Sequence, residues 1–136
     1  IIRPNNINII DWINLADSFY QIGAIIEGIQ SKLKDGIAVI SLQKADNKTL
    51  GLGGGFSLHL ASLYLAVDFE RLTVVKAKEW YEKNPNGKMY GFSIGSGGTK
   101  FANIREVKTC KVCSGTGRVK SGECPTCYGK GYADVN

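Results

Sequence analysis

The chain has 136 residues, 43% of them hydrophobic, and a formal net charge of +5. That length allows one modest domain and a small additional module. No apolar run approaches the roughly 20 residues of a membrane-spanning helix, so no membrane partner is expected. No secretory signal is recognisable, and a cytoplasmic location is expected. The first residue is Ile1 rather than Met, which suggests a fragment or a processed product.

The front of the chain reads as α/β. Ile7-Asn8-Ile9-Ile10-Asp11-Trp12-Ile13 is a short β-branched run that fits a buried strand. Ser18, with Gln21 three residues on, has the pattern of a capping box and opens a helix. Phe19, Ile22, Ile25, Ile26, Ile29 and Leu33 recur at helical spacing as one apolar stripe. Lys32 and Lys34 lie near the end where the helix dipole favours cations, and Asp35-Gly36 stops the helix. Ile37-Ala38-Val39-Ile40-Ser41-Leu42 is a second strand. Strand, helix and strand make a βαβ unit with parallel strands and a right-handed crossover.

That topology gathers polar residues at one place. Asp11 ends the first strand, and Gln43 and Lys44 end the second. In a parallel sheet these ends share an edge, and ligands of open α/β sheets bind outside that edge. An acid after an apolar strand suits a Mg²⁺-holding Walker B aspartate, and it also suits an ordinary cap or turn. Residues 45–56 form a long glycine-rich loop, and loops of that length in a small domain are commonly functional or mobile. Residues 62–68 and 72–80 read as strands on either side of a turn at Phe69-Glu70. Asn84-Pro85-Asn86-Gly87 is a strong turn signal before a strand at 89–94. The late strands are joined by short turns, so an antiparallel meander at one side of the sheet is expected.

The order of these features resembles the C-terminal half of the RecA/DnaB-type ATPase core of replicative helicases and their phage relatives. It runs from a strand ending in Asp11, through a helix, a strand ending in Gln43 and the glycine-rich loop, to Lys76-x-Lys78 and the Asn-Pro-Asn-Gly hairpin. The resemblance covers about residues 5–95. It implies that Asp11 is the Walker B acid and that Gln43 senses the γ-phosphate. It also implies that the loop bearing Lys44 and Lys48 faces DNA, and that Lys76 and Lys78 reach the nucleotide of a neighbouring subunit in a ring. No G-x-x-x-x-G-K-[ST] occurs, and the glycine run at 51–55 is followed by Phe56-Ser57, so it is no P-loop. ATP and Mg²⁺ are therefore expected only in a protein that also supplies a phosphate-binding loop.

The last quarter holds all four cysteines in two copies of C-x-x-C-x-G-x-G, at Cys110, Cys113, Gly115 and Gly117, and at Cys124, Cys127, Gly129 and Gly131. Two such knuckles about ten residues apart have the spacing of a closed four-thiolate zinc site. The alternative is a pair of disulfides, which requires an oxidising compartment. The pattern resembles half of the zinc domain of DnaJ-type co-chaperones, with two repeats and so one zinc. No His-Pro-Asp mark of a J-domain accompanies it. Residues 105–136 carry Arg105, Lys108, Lys111, Arg118, Lys120 and Lys130 against Glu106, Glu123 and Asp134. This basic excess suits nucleic-acid phosphates, or it balances the charge of a thiolate-bound metal.

The expected architecture is thus α/β: a partial RecA-like parallel sheet with a βαβ unit and antiparallel edge strands over residues 1–95, a flexible linker at 96–107, and a four-cysteine zinc module at 108–136. The expected partners are DNA, other copies of the chain in a ring, and a protein docking on the zinc module. The alternative function is a non-catalytic, chaperone-like binding module on an ATPase-derived scaffold. His59, the only histidine, reads as a packing or surface residue. Trp12 reads as a core or rim aromatic or a stacking residue. Tyr128 and Tyr132 either stack on nucleobases or pack over the knuckles.

Overall fold

The β-branched run at the front does form a strand, but a shorter one than its sequence suggests: β1 is Ile7–Ile10. Trp12 has φ of 67°, a left-handed conformation that no strand continues through. The Asn8 side chain fixes the start of β1, because its amide donates to the carbonyls of Arg3, Asn6 and Ile37. The computed structural model describes residues 1–15, 18–46 and 48–135, and the chain divides into two units, Ile1–Tyr64 and Leu65–Asn136.

In the first unit a single 3-10 turn at Phe19–Gln21 leads into helix α1, Ile22–Gln30. Ser18 makes no side-chain capping bond, so the expected capping box does not form. The helix buries Ile22, which is 1% exposed, while Phe19 at the head of the predicted stripe stays outside. Strand β2 is Ile37–Ile40. It pairs in parallel with β1 in the register Ile7 to Ile37 through Ile10 to Ile40, which completes the βαβ unit. Among the described residues the parallel sheet ends with these two strands. Their alternating positions divide cleanly: Ile7, Ile9, Ile37 and Val39 are exposed, and Ile10, Ala38 and Ile40 are half-buried. A one-turn helix, α2 at Gly55–Leu58, follows the glycine-rich segment.

The second unit is built on a five-stranded antiparallel sheet, whose first strand begins with the last two residues of the first unit. Its strands are β3 (Leu63–Asp68), β4 (Arg71–Ala77), β5 (Met89–Gly95), β6 (Lys100–Thr109) and β9 (Tyr132–Asp134), in that spatial order. Two short strands, β7 (Arg118–Val119) and β8 (Gly122–Glu123), form a separate hairpin between β6 and β9. Ala66, Val74, Ala77, Phe92, Val107 and Tyr132 are the buried side chains of the sheet. Glu70, at φ of 53° in the β3–β4 turn, offers its carbonyl to Phe92 N–H at 3.0 Å and to the Tyr132 hydroxyl at 3.2 Å. Asn86 takes the place of a strand partner for Ala77, bonding both its N–H and its carbonyl.

The structure corrects two expectations. The late strands are not the antiparallel edge of a RecA-like parallel sheet; they form a sheet of their own, in which β3 to β6 lie side by side in chain order and β9 pairs with β6. Residues 96–107 do not act as a linker. Ser96–Gly98 is a tight turn, and 100–109 is the longest strand, β6. The glycines that read as flexibility supply the positive φ of a reversal, with Gly97 at 65° and Gly98 at 95°.

Candidate functional site: a four-thiol metal centre

The chain leaves the sheet at Thr109, the last residue of β6, and returns at Tyr132, the first of β9, whose Cα atoms are register partners. All four cysteines lie in the excursion between them. Cys110 N–H donates to the Gly131 carbonyl at 3.0 Å, which extends the β6–β9 ladder one step into the module. Cys124 N–H donates to the Gly117 carbonyl at 2.8 Å. Cys110 and Cys124 open the two repeats and Gly117 and Gly131 close them, so these bonds are the same contact made twice. The module is two knuckles related by an internal two-fold.

The glycine at the end of each repeat is required sterically. A Cβ on Gly117 would lie 2.1 Å from the Gly129 carbonyl oxygen, and one on Gly131 would lie 2.3 Å from the Gly115 carbonyl oxygen. Both residues also hold positive φ, 75° and 77°. No residue with a side chain fits either position, and each repeat blocks the other reciprocally.

This packing converges four sulfurs. Cys110, Cys113, Cys124 and Cys127 are all buried, and their Sγ atoms all lie within 4.8 Å of one another. The Cys110–Cys124 sulfurs are 3.9 Å apart and the Cys113–Cys127 sulfurs 3.6 Å. Four sulfurs about 2.3 Å from a central zinc in a tetrahedron are roughly 3.8 Å from each other, so the spacing suits a tetrahedral thiolate site. A disulfide needs about 2.05 Å, and all four thiols are free. The four cysteines are therefore placed to hold a metal ion, and four protein ligands leave no open position for catalysis.

The surrounding backbone prepares the sulfurs for that task. Gly131 N–H donates to Cys127 Sγ at 3.2 Å. Burial raises the Cys113 thiol, but hydrogen bonds from Gly117 N–H, Cys127, Cys110 and Gly115 N–H outweigh it and bring the thiol down to about 6. Cys124 is also lowered: burial acts against the shift, and the Cys127 and Thr126 N–H groups carry it. Burial pushes Cys127 up to about 11, helped by Cys113 and Cys124 and opposed by Gly131 N–H. Without metal the cluster thus combines acidic thiols with one that retains its proton, and a cation replaces that proton. Among the described residues Val119 is the partly buried hydrophobic packed on the cluster. The module has a cysteine cluster and backbone contacts at its centre where a larger domain has an oily core.

The other candidate residues lie elsewhere. In the first unit Asp11 directly follows β1, and Gln43 lies three residues beyond β2, so both stand at the C-terminal edge of the parallel pair. Pairing persists just past the strands, with Ser41 N–H donating to the Ile10 carbonyl at 3.0 Å. Both side chains are exposed. The Gln43 carbonyl accepts Leu52 N–H at 2.7 Å, which closes the base of the loop that carries Lys44 and Lys48. Asn47 of that loop lies outside the described residues. Lys44 is half-buried and Lys48 exposed. Lys76 lies in β4 and Lys78 just beyond it, both in the second unit.

Sequence reasoning missed the tether that holds the glycine-rich segment. The Tyr64 hydroxyl accepts Gly51 N–H at 2.8 Å and meets the buried Ser57 hydroxyl at 2.9 Å, and Ser57 in turn donates to the Gly54 carbonyl. In the chain Tyr64 is one more strand residue, and only its terminal oxygen distinguishes it. Tyr132 is buried, at 5% exposed, in the sheet, where its hydroxyl reaches the Glu70 carbonyl, and Tyr128 stays out at 76%. Arg105 pairs with Asp134 at 2.6 Å, and Glu106 pairs at 3.0 Å with Lys88, which lies outside the basic stretch, so two of that stretch's three acids are engaged.

Among the described residues no helix is long and apolar enough to cross a membrane. Compared with models of known families, with curated proteins and with solved structures, the chain matches none of them.

Proposed function

We propose that this chain is part of a nucleic-acid-dependent ATPase of the replicative-helicase or recombinase-like kind, carrying a structural zinc finger that docks DNA or a partner. The supporting observation is the position of Asp11 and Gln43 on one edge of a parallel βαβ unit, where such enzymes hold Mg²⁺ and sense phosphate. The left-handed backbone of the bulky residue Trp12 directly after Asp11 supports it too, since strain of that kind gathers at functional sites. In this reading Asp11 orients the metal-bound water, Gln43 reports on the nucleotide, Lys44 and Lys48 face the nucleic acid, and Lys76 and Lys78 serve a neighbouring subunit's site. A phosphate-cradling loop is needed as well, and this sequence does not contain one.

The metal at the four-cysteine centre is zinc in this proposal. Sulfur donors in a closed tetrahedron select it, and a saturated site makes its role structural. The same closed site favours a second reading, a non-catalytic protein-binding module on an ATPase-derived scaffold.

The two separate on one measurement. In a gene product that includes a phosphate-binding loop, ATP turnover stimulated by single-stranded DNA is expected, and Asp11→Ala abolishes it with the fold intact. Turnover that survives Asp11→Ala sinks the Walker B assignment. Absence of turnover in the unmutated gene product leaves the binding-module reading.

A further inference from the structure

We propose that the second knuckle of the metal centre is a stacking platform for single-stranded nucleic acid, centred on Tyr128. This rests on the metal centre described above and gives it a partner. The two repeats provide an internal comparison. Ser114 and Tyr128 occupy the same place, directly after the second cysteine, and both adopt the left-handed conformation, with φ of 50° and 48°. A serine meets every requirement of the turn, so the fold does not ask for an aromatic ring there. A tyrosine in that conformation is strained, and at 76% exposed it gains little from burial. The other tyrosine of the module, Tyr132, is 5% exposed and hydrogen-bonded. Of the two, only Tyr128 presents a flat apolar face to solvent.

The backbone crossing brings segments that carry exposed cations next to the segment that carries Tyr128. A Cβ on Gly117 would lie 2.1 Å from the Gly129 carbonyl oxygen, so the two segments run in contact. Arg118 adjoins one side of that crossing and Tyr128 and Lys130 flank the other. Lys120 is in the turn of the β7–β8 hairpin that Arg118 begins. All three cations are exposed. One acid shares the site: Glu123 is the register partner of Arg118 and lies against Gly129. An exposed ring flanked by lysine and arginine is the arrangement that stacks an unpaired base while cations meet the flanking phosphates. A duplex keeps its bases stacked and offers no face to the ring. An acidic peptide would use the cations and leave the ring without a task.

The test uses the full zinc-loaded chain and a fluorescein-labelled oligo-thymidine strand of about 20 nucleotides, read by anisotropy, with zinc per chain measured on every sample. Tyr128→Ser copies the other repeat and should keep its zinc. It is expected to weaken binding on the order of tenfold, the size of one lost base stack, while Tyr128→Phe binds like the parent. An abasic strand of equal length should bind parent and Tyr128→Ser alike. Equal oligo-thymidine binding by parent and zinc-loaded Tyr128→Ser overturns the platform and leaves the metal centre standing. So does a Tyr128 dependence that persists on the abasic strand or appears equally with poly-glutamate. A parent chain that binds no zinc removes the metal centre and the platform together.

Discussion

The βαβ unit of residues 7–40 and the cysteine module of residues 110–131 are similar in scale and opposite in construction. The first is made of apolar side chains, yet its sheet leaves Ile7 70% and Ile9 76% exposed on one face. Parallel strands are normally covered on both faces, so its hydrophobic surface is only half used. The module has almost no apolar interior, and its four cysteines are 6% exposed or less. Reciprocal backbone contacts and a shared ligand point close it on itself. Hydrophobic construction needs neighbours to be complete, whereas ligand construction needs one ion and the right glycines.

The largest effect should come from removing that ion. If the centre holds zinc as proposed, chelation or Cys110→Ser takes it from one per chain to none and unfolds the module outright. Structural zinc contributes on the order of 10 kcal/mol at neutral pH, more than a small module retains otherwise. Amide exchange should show lost protection across 110–131 and unchanged protection in α1. Loss in both regions would mean that the two modes of construction are not independent.

Acid should act through the same contrast. Cys113, lowered to about 6, is already a thiolate at pH 7, whereas Cys127, raised to about 11, releases its proton to solvent when a metal binds. Below about pH 6 Cys113 must lose a proton as well, so zinc affinity falls more steeply as pH drops through that value. Zinc titrations from pH 5 to 8, with proton release read from buffers of differing ionisation enthalpy, check the sign. An affinity independent of pH across that window would contradict it.

Gly131→Ala comes next. Its Cβ would sit 2.3 Å from the Gly115 oxygen at a positive φ, and a cost of about 3 kcal/mol or more is expected from clash and strain together. Thermal unfolding in saturating zinc measures it. In the first unit, Tyr64→Phe removes the acceptor of Gly51 N–H and the partner of Ser57, for a loss of about 1–3 kcal/mol. Faster proteolysis within residues 43–52 would report it. The smallest effect has the opposite sign: Gly28 lies inside α1, and a Cβ added there would meet nothing within 4 Å. Gly28→Ala should stabilise the first unit by about 0.5–1 kcal/mol.

Much of this was legible in the chain, for local reasons. The metal centre is written in the spacing of Cys110, Cys113, Cys124 and Cys127, because a two-residue gap lets one turn aim two sulfurs at a point. The β1–α1–β2 order is written in β-branched runs on either side of a helical period, and Asp11 and Gln43 reach a common edge because parallel pairing demands it. The ends of elements were less readable. Nothing in Asp11-Trp12 announces the left-handed Trp12 that halts β1, and Ser18 has the composition of a cap without its geometry.

How elements distant in sequence meet is a different matter, and the folded chain alone settles it. Gly95-Ser96-Gly97-Gly98 has the composition of a tether, but the pairing of β5 with β6 makes it a turn. The three residues of β9 are too short to be recognised as a strand alone, and they become one because β6 is already there and the metal knuckles return the chain to it. The need for glycine at 117 and 131 shows only when the two repeats face each other. Residue type and short spacing therefore specify which atoms are placed to hold an ion, and both can be read along the chain. Where the module is anchored, and which of its two tyrosines is left to the solvent, depend on strands that pair across tens of residues, and so belong to the fold.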